Sequence, residues 1–307
     1  MRGNTTHSRI YIIAVIYNRL IDEIRSLPQF EALTHRYPET GLIVTDNSTD
    51  ETVLERNRET SSHMEWIRYI ECGGNAGLSR AYNRALATIP QDEDFWVMLS
   101  DDDTFFSMEY LENACSRIRK ERRAVMSAGT ADTVKCACSE NHGRRPLKML
   151  CGVVLTDGGW ISPRSRYTKE LAFSCLLKKP KPGIYRDLYP VNSGLFLDGS
   201  LLRETGGFDE RLFLDQVDFL MMDRLRARGV RRIGVLPGEI RQTFSGEIRQ
   251  ISVDRSSKGS QSPDERWKIF KRDFETYCDL TGKPWCYRTY ILGRRRLMLF
   301  IQKIRLA

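Results

Sequence analysis

The stretch Phe95-Trp96-Val97-Met98-Leu99-Ser100-Asp101-Asp102-Asp103 ends a run of five apolar residues with a serine and three adjacent carboxylates. A continuous apolar run of this length predicts a buried strand, most simply a strand of a parallel sheet. Three neighbouring carboxylates repel one another, so they are costly unless a cation or hydrogen-bond donors offset their charge. The triplet is therefore either a solvated turn or a site for a hard divalent cation, which prefers carboxylate oxygens.

The residues on either side of this strand alternate between apolar runs and helical patterns. This alternation predicts an α/β fold with a doubly wound, mostly parallel sheet, whose ligands bind beyond the carboxyl ends of the strands. We predict strands at 10–16, 41–45, 66–70, 95–99, 124–128, 191–197 and 231–236, and helices at 20–36, 78–89, 107–120 and 214–228.

The C-terminal region is predicted to be a helical extension. Ser262-Pro263-Asp264-Glu265 is a capping box with proline at the first helical position, which indicates the start of a helix. Residues 129–190 are less regular, and we interpret them as an acceptor-facing surface. The predicted C-terminal helix would place four aromatic residues on one face: Trp267, Phe270, Phe274 and Tyr277.

Composition and charge exclude several classes of protein. The 307 residues are 41% apolar and 29% charged, which excludes an intrinsically disordered chain. No run approaches the roughly 20 apolar residues of a membrane-spanning helix. The apolar run 10–16 is too short for the core of a secretory signal, so we expect a cytoplasmic protein. The net charge of +8 favours an anionic lipid or substrate, because no basic, aromatic-interleaved stripe indicates nucleic-acid binding.

The eight cysteines do not form a CxxC pair. Cys136, Cys138, His142 and Cys151 are metal-capable residues close together in sequence, but they lack the paired spacing of a zinc ribbon. We interpret the cysteines as reduced thiols, with a structural zinc as the less favoured alternative.

Six segments occur in a fixed order along the chain: Tyr17-Asn18-Arg19; Val44-Thr45-Asp46-Asn47-Ser48-Thr49-Asp50; Gly74-Asn75-Ala76-Gly77 followed by Asn83; Leu99-Ser100-Asp101-Asp102-Asp103; Asn192-Ser193-Gly194; and Gly206-Gly207-Phe208-Asp209-Glu210. In these segments the sequence resembles the family 2 glycosyltransferases of the GT-A fold, over roughly residues 9–250. It is most similar to the bacterial polysaccharide and O-antigen branch, such as rhamnosyl- and galactofuranosyltransferases.

The resemblance implies a domain organisation and an activity. Residues 1–250 would form the GT-A catalytic domain, with a nucleotide-binding half at 9–130 and an acceptor half at 131–250, and residues 251–307 the helical extension. The expected activity is inverting transfer of a sugar from a UDP- or dTDP-sugar to a glycan acceptor, expected to be lipid-linked, in cell-surface polysaccharide synthesis.

The resemblance also implies a role for each matching residue. Asp46 would accept a hydrogen bond from the pyrimidine base, with a helix cap as the alternative, and Asp103 would bind Mn²⁺ or Mg²⁺. Asp101 would contact the ribose or the sugar, and Asp102 would be a spectator or support its neighbours. The remaining expected nucleotide-sugar contacts are Asn18, Asn75, Gly77 and Asn83.

The expected catalytic base lies in Leu214-Asp215-Gln216-Val217-Asp218, where the family more often has two adjacent acids. Asp215 is the first choice and Asp218 the second, with a plain helix cap as the alternative for Asp215. Many relatives also carry a metal-binding histidine after the last strand. Here that stretch contains Gln242-Thr243, and the four histidines lie at positions 7, 35, 63 and 142. Either the metal is bound by Asp103, the diphosphate and water alone, or another group takes the place of the histidine.

The C-terminal tail is basic and amphipathic. Residues 288–307 contain six Arg or Lys and no acid, and Leu297, Phe300, Ile301 and Ile304 follow helical spacing. This pattern is typical of a helix lying on an anionic membrane, so we expect peripheral association with the inner face of the cell membrane. Removing 288–307 is then expected to leave the catalytic domain folded. The alternative is a helix packed on the domain or on a second subunit of a homo-oligomer.

Two other functions compete with this interpretation. A nucleotidyltransferase on a related sheet would need a glycine-rich phosphate loop directly after the first strand, and Tyr17-Asn18-Arg19 is not such a loop. A non-catalytic relative that only binds sugar or membrane is the other alternative, favoured by the altered acidic pair and the missing histidine.

Overall fold

The structure is a computed structural model that describes residues 9–129, 146–165, 178–243 and 263–306. Its strands are β1 (Arg9–Ile16), β2 (Thr40–Asp46), β3 (Ile67–Glu71), β4 (Phe95–Asp101), β5 (Thr104–Phe106), β6 (Met149–Thr156), β7 (Gly159–Ser162), β8 (Arg164–Ser165), β9 (Gly183–Arg186), β10 (Leu188–Tyr189), β11 (Phe196–Asp198) and β12 (Arg232–Gln242). Its α-helices are α1 (Leu27–Arg36), α2 (Glu51–Ser62), α3 (Leu78–Ala87), α4 (Met108–Gly129), α5 (Gly199–Thr205), α6 (Val217–Ala227), α7 (Pro263–Thr281) and α8 (Trp285–Leu306).

Ten of these strands form one sheet, with the main order β3-β2-β1-β4-β11-β6-β12-β5. Strands β3, β2, β1 and β4 are mutually parallel, whereas β11 is antiparallel to both of its neighbours. Strand β6 is parallel to β12. The predicted α/β fold with a mostly parallel sheet is confirmed.

The register of the parallel strands brings the predicted polar residues to one edge of the sheet. In β1, Ile16 pairs with Asp46 of β2, and Val15 pairs with Asp101 of β4. Because the strands run in the same direction, the residues that follow them emerge at the same end. Two carboxylates that are far apart in sequence therefore lie at one sheet edge.

A hydrophobic core covers each face of the sheet. Alternate residues of β1 enter different cores. Tyr11 and Ile13 lie in the first core, and Ile10 and Ile12 lie in the second core. Burial on both faces explains why this strand is continuously apolar. The predicted aromatic face of α7 is confirmed, because Phe270, Phe274 and Tyr277 are buried in the first core and Trp267 packs against it.

Several predicted boundaries were wrong. Helix α4 continues to Gly129, so residues 124–128 are helical rather than a strand; a short apolar run does not distinguish the two by its pattern. Residues 20–36 are divided into a short 3-10 helix, Ile21–Glu23, and α1, which has a proline in its first turn. Helix α6 begins only at Val217, because Gln216 has a left-handed backbone conformation.

The beginning of α8 packs on the rest of the protein. Arg288 forms ion pairs with Glu275 and Asp279, and Ile291 and Leu292 pack against the first core. Deleting 288–307 would therefore remove packed residues, and the expectation that the catalytic domain stays folded without this segment stays a prediction. The side chains of Met298, Phe300 and residues 301–307, including Ile301 and Ile304, lie outside the described residues.

The proposed zinc cluster cannot be followed in full, because Cys136, Cys138 and His142 lie outside the described residues. Cys151 is buried in β6, and burial raises the pKa of its thiol well above the ordinary range. Within the described ranges, no helix has both the length and the apolar composition needed to cross a bilayer.

Candidate active site

The acidic triplet lies where β4 ends and turns into β5. Asp101 is half-buried, and its Oδ2 accepts hydrogen bonds from the hydroxyl of Ser193 and from Nε2 of Gln242, the latter at 3.0 Å. Burial raises the pKa of Asp101 to about 6, and the charges of Asp102 and Asp218 act in the same direction. The carboxylate of Asp218 is therefore near enough to Asp101 for the two charges to interact.

Asp103 shares one of the donors of Asp101. Nε2 of Gln242 lies 3.3 Å from Oδ1 of Asp103, and the hydroxyl of Thr104 lies at the same distance. Burial, together with the charges of Asp101 and Asp102, raises the pKa of Asp103 to about 7. Asp103 also lines an open cleft of about 240 Å³ with Arg19, Glu23, Arg25 and Thr243.

Asp102 points to a different partner. Its Oδ2 lies 3.3 Å from Nε of Arg19, in a partly exposed ion pair. Burial raises its pKa, and the positive charge of Arg19 opposes that rise. Asp102 thus carries an ion pair to the loop after β1, and a supporting role for it stays a prediction.

The donor set is suited to a divalent cation that takes further oxygens from a ligand. Within the described ranges, no group of three or more His, Cys, Asp or Glu side chains is arranged to hold a metal ion. Asp101 and Asp103 nevertheless share one amide donor, Gln242, so their carboxylates are close together. A cation of the Mg²⁺ type binds through one or two carboxylates and fills its other positions with water and phosphate oxygens. The residues present fit that arrangement, and Asp103 as metal ligand stays a prediction.

Asp46 is completely buried at the end of β2. Its Oδ1 accepts from the backbone N–H of Ser48 at 2.8 Å, and its Oδ2 accepts from Asn57 at 2.8 Å and from the Tyr69 hydroxyl at 2.7 Å. Three internal donors fix the turn after the strand. Contact between Asp46 and a nucleotide base stays a prediction, although in this structure the carboxylate faces protein donors.

Asn18 holds together the loops that follow β1 and β2. Its Oδ1 accepts from the backbone N–H groups of Thr49 and Asp50, at 2.8 and 3.2 Å, and its own N–H donates to Ser48 at 2.8 Å. Its φ of 48° is left-handed, which asparagine tolerates better than most residues. Asn18 therefore positions the predicted base-binding loop, and direct nucleotide contact stays a prediction.

Gly77 is required by protein packing rather than by a ligand alone. Its φ is 85°, and a Cβ placed there would lie 2.5 Å from Cδ2 of Phe213 and 2.8 Å from its carbonyl oxygen. Asn75, in the same loop, is half-buried, and its expected contact with the nucleotide stays a prediction.

The side chain of Asn83 is hydrogen-bonded to the segment Gly206–Glu210. Its Oδ1 accepts from the N–H of Phe208 at 2.8 Å, and its Nδ2 donates to the carbonyl of Phe208 at 2.9 Å and to Glu210 at 3.0 Å. These bonds connect α3 to the turn before the segment Phe213–Asp218, called the acidic loop below. In this structure Asn83 braces that turn, and its expected contact with the nucleotide-sugar stays a prediction.

The two candidate bases have different surroundings. Asp215 forms two hydrogen bonds with the guanidinium of Arg266 on α7, and both side chains are mostly buried. Asp218 lies in the first turn of α6, where its Oδ1 accepts from the N–H of Phe219 at 2.8 Å. The charge of Asp218 contributes to the raised pKa of Asp101, whereas the carboxylate of Asp215 pairs with Arg266, and the choice of base stays a prediction.

Four residues at this site are not identified as functional by their sequence patterns. Arg266 and Asp273 contact the acidic loop, and no local pattern identifies them because they act across more than fifty positions. Tyr82 lies on α3, where its spacing from the apolar residues of the helix indicates only a buried face. Its hydroxyl is buried and has no hydrogen-bond partner within the described ranges, and the charges of Asp101 and Asp218 both raise its pKa. Asn192, whose Oδ1 is also unpartnered there, belongs to a quoted segment but received no role.

Comparisons with known proteins identify the family and the fold of this chain. The family model described as Glycosyl transferase family 2 matches residues 11–167, which is just over half of the 307 residues. The solved structure of S. aureus TarS 1–349 aligns with a TM-score of 0.52 and 16% identity, over 88% of this chain and 65% of that one. GalNAc-T7 with UDP, GalNAc and Mn²⁺ aligns with a TM-score of 0.52 and 14% identity, over 78% of this chain and 45% of that one.

At these identities the solved structures show the fold alone, and this chain spans less than two thirds of the length of either. The comparison with curated protein sequences gave no significant match. The fold is the GT-A glycosyltransferase fold, and the family model covers the strands that carry the acidic triplet. The chain belongs to glycosyl transferase family 2.

Proposed function

We propose that this protein is an inverting glycosyltransferase that moves a sugar from a UDP- or dTDP-sugar to a glycan acceptor. The observation that supports the proposal is that Asp101 and Asp103, at the end of β4, share the side-chain amide of Gln242, while the charge of Asp218 contributes to the raised pKa of Asp101. A single displacement needs one carboxylate to take a proton from the acceptor and others to hold the donor. Asp218 is the candidate for the first role, and Asp101 and Asp103 are the candidates for the second.

Asp218 is the better candidate for the base. The carboxylate of Asp215 is engaged at both oxygens by Arg266, and a bidentate partner of this kind stabilises the ionised form and fixes its orientation. Asp218 would take the proton of the acceptor hydroxyl while the hydroxyl oxygen attacks the anomeric carbon. The bond from that carbon to the diphosphate oxygen then breaks, with inversion of configuration.

The cleft beside Asp103 is suited to the diphosphate of the donor. Arg19 and Arg25 line it, and both guanidinium groups can hydrogen-bond phosphate oxygens. When bound, Mn²⁺ or Mg²⁺ would neutralise charge that develops on the leaving diphosphate. Arg19, which already pairs with Asp102, would connect the bound phosphate to the acidic triplet.

The acceptor is proposed to be a lipid-linked glycan in cell-surface polysaccharide synthesis. The support is the basic tail, since residues 288–307 carry six Arg or Lys and no acid. Trp285, Tyr290 and Leu297 are exposed on α8, with 78, 53 and 57% of their surface accessible. Exposed aromatic and apolar side chains beside cations favour an anionic membrane surface, at the inner face of the cell membrane.

The test is a binding and turnover panel on the whole protein. UDP-, dTDP-, GDP- and CMP-sugars are added with Mn²⁺, Mg²⁺ or chelator, and melting temperature and nucleotide release are recorded. A bound donor at 100 times its Kd adds about 2.7 kcal/mol of stability, which such a scan detects. In Asp103→Asn, the rise in melting temperature and the turnover that depend on Mn²⁺ or Mg²⁺ should be lost. Glu55→Gln, on the exposed surface of α2, is the matched control.

Three results would count against the proposal in different ways. No stabilisation by any nucleotide-sugar would contradict a donor site. Binding without turnover, with acceptor glycans present, would favour a non-catalytic relative. Release of pyrophosphate from a nucleoside triphosphate would favour a nucleotidyltransferase.

A further inference from the structure

We infer that Arg266 and Asp273 of α7 are positioning residues for the acidic loop Phe213–Asp218, so that the C-terminal helices complete the catalytic site. The inference rests on the proposed function, in which Asp218 acts on the acceptor. It concerns two residues that lie outside the matched family region 11–167.

Asp273 holds the backbone of the loop. Its side chain is fully buried, and Oδ2 accepts three backbone N–H groups, from Phe213 at 3.1 Å, Leu214 at 2.7 Å and Asp215 at 2.9 Å. Its Oδ1 takes two hydrogen bonds from the neighbouring Arg272, at 2.9 and 3.1 Å. Three consecutive N–H groups on one oxygen fix the direction of this part of the chain.

Arg266 holds the side chain of Asp215, the last residue of the segment 213–215. Its guanidinium makes two hydrogen bonds to the carboxylate of Asp215, one of them at 2.9 Å, and the two side chains are only 18 and 13% exposed. Paired geometry between planar groups specifies orientation as well as distance. The next residue, Gln216, turns the chain with a φ of 64°, and α6 with Asp218 follows directly. Fixing residues 213–215 therefore fixes where α6 begins.

Phe213 connects the acidic loop to the loop Gly74–Gly77, which is predicted to contact the donor. Its carbonyl accepts a hydrogen bond from the N–H of Leu78 at 2.6 Å. Its ring fills the space that a Cβ at position 77 would occupy. The guanidinium of Arg272 lies 5.2 Å from the centre of the same ring. The loop is thus held between Gly77–Leu78 on one side and α7 on the other.

The packing of α7 does not by itself require these charges. Phe270, Phe274 and Tyr277 anchor the helix in the core through apolar contacts. A buried carboxylate is costly unless its hydrogen bonds are satisfied, and Asp273 obtains those of Oδ2 from the acidic loop and those of Oδ1 from Arg272. The charges of α7 are therefore directed at the loop that carries the proposed base.

The test compares Arg266→Ala and Arg266→Lys with Lys271→Ala, an exposed residue of the same helix, in the full chain. Asp273→Asn is made as well, but it alters a fully buried group and can prevent folding, so Arg266 decides the question. The measurements are hydrogen exchange of the amides of 213–218, the Kd of UDP with Mn²⁺, and kcat and KM for whichever nucleotide-sugar the panel identifies.

We expect Arg266→Ala to speed exchange in 213–218 at least ~10-fold and to lower kcat at least ~10-fold, with partial rescue by lysine. The Kd of UDP should stay within about twofold, because the paired hydrogen bonds of Arg266 go to Asp215 of the acidic loop and not to a predicted donor contact. Unchanged exchange and unchanged kcat in a folded Arg266→Ala protein would overturn the inference. If the unaltered protein binds no nucleotide, the proposed function fails, and the exchange measurement still decides whether Arg266 positions the loop.

Discussion

The side-chain amide of Gln242 donates a 3.0 Å hydrogen bond to Asp101, although 141 positions separate the two residues in the chain. The same nitrogen reaches Asp103 at 3.3 Å. These hydrogen bonds lower the pKa of each carboxyl, but burial and repulsion from neighbouring carboxylates prevail, and the pKa values are raised to about 6 and about 7. A neutral amide thus only partly compensates a carboxylate pair that a cation would neutralise.

The first prediction concerns the pH dependence of stability without divalent metal. The pKa of Asp103 is raised from its ordinary 3.8 to about 7, so between these values the folded protein binds more protons than the unfolded chain. The free energy of unfolding therefore falls as the pH rises from about 4 to about 7. Asp103→Asn removes this cost and should raise the free energy of unfolding at pH 8 on the order of 2 kcal/mol, with a much smaller gain at pH 4.

Urea unfolding in chelator at pH 4 and pH 8 checks this, with Glu55→Gln as the control. Equal effects of Asp103→Asn at the two pH values would show that Asp103 has an ordinary pKa. Adding Mn²⁺ should reverse the ranking at pH 8, because only the carboxylate binds the cation.

The second prediction distinguishes the two candidate bases. Asp218→Asn should lower kcat by at least ~100-fold with little change in the Kd of UDP, the usual scale for losing a general base. Asp215→Asn breaks the ion pair with Arg266, so it should reduce stability and lower kcat less. This order reverses the one that the sequence favours. A larger loss of kcat in a well-folded Asp215→Asn protein would restore Asp215 as the base.

The third prediction concerns the buried hydroxyl of Tyr82. It has no hydrogen-bond partner within the described ranges, and a buried unsatisfied group costs roughly 1–3 kcal/mol. Tyr82→Phe should therefore leave the melting temperature of the free protein unchanged or raise it. Because Asp101 and Asp218 lie near this hydroxyl, the same variant should weaken binding of the sugar donor at least ~5-fold and leave UDP affinity unchanged. A drop in melting temperature with normal donor affinity would mean that the hydroxyl only supports the core.

Local patterns predicted the strand ends of this protein but not the contacts between distant segments. Asp46 and Asp101 follow continuous apolar runs, and parallel register then brings them to one edge. Gln242, Arg266 and Asp273 reach the site from segments far away in sequence. Nothing in their immediate surroundings distinguishes them from solvated polar residues, because their role depends on which segments the tertiary fold brings together.

The fourth prediction compares two glycines of one loop. Gly74 and Gly77 both have left-handed φ values, of 105° and 85°, so alanine at either position costs about 1 kcal/mol of backbone strain. A Cβ at 74 meets nothing within 4 Å, whereas a Cβ at 77 would collide with Phe213. Gly77→Ala should therefore lower the free energy of unfolding by a further 1–3 kcal/mol, roughly the cost of overpacking, and Gly74→Ala should not. Equal urea midpoints for the two variants would show that Phe213 moves without cost.

The fifth prediction concerns the membrane. Arg288 is paired with Glu275 and Asp279, and Arg295 lies 3.8 Å from the ring centre of Phe270, so a truncation that tests membrane binding must keep this part of α8. Deleting 297–307 should abolish co-sedimentation with anionic vesicles at low salt and leave the melting temperature within a few degrees of the full chain, because no packed core residue is lost among the described ones. Leu297→Glu in the full chain should weaken the same binding without altering stability, since its side chain is 57% exposed.

Neutral vesicles and high salt serve as controls, because attraction between the basic tail and anionic lipid is screened by salt. Full-length protein that stays in the supernatant at low salt, together with a large loss of melting temperature on truncation at 297, would identify the tail as an intramolecular or subunit contact and remove the support for a membrane-bound acceptor.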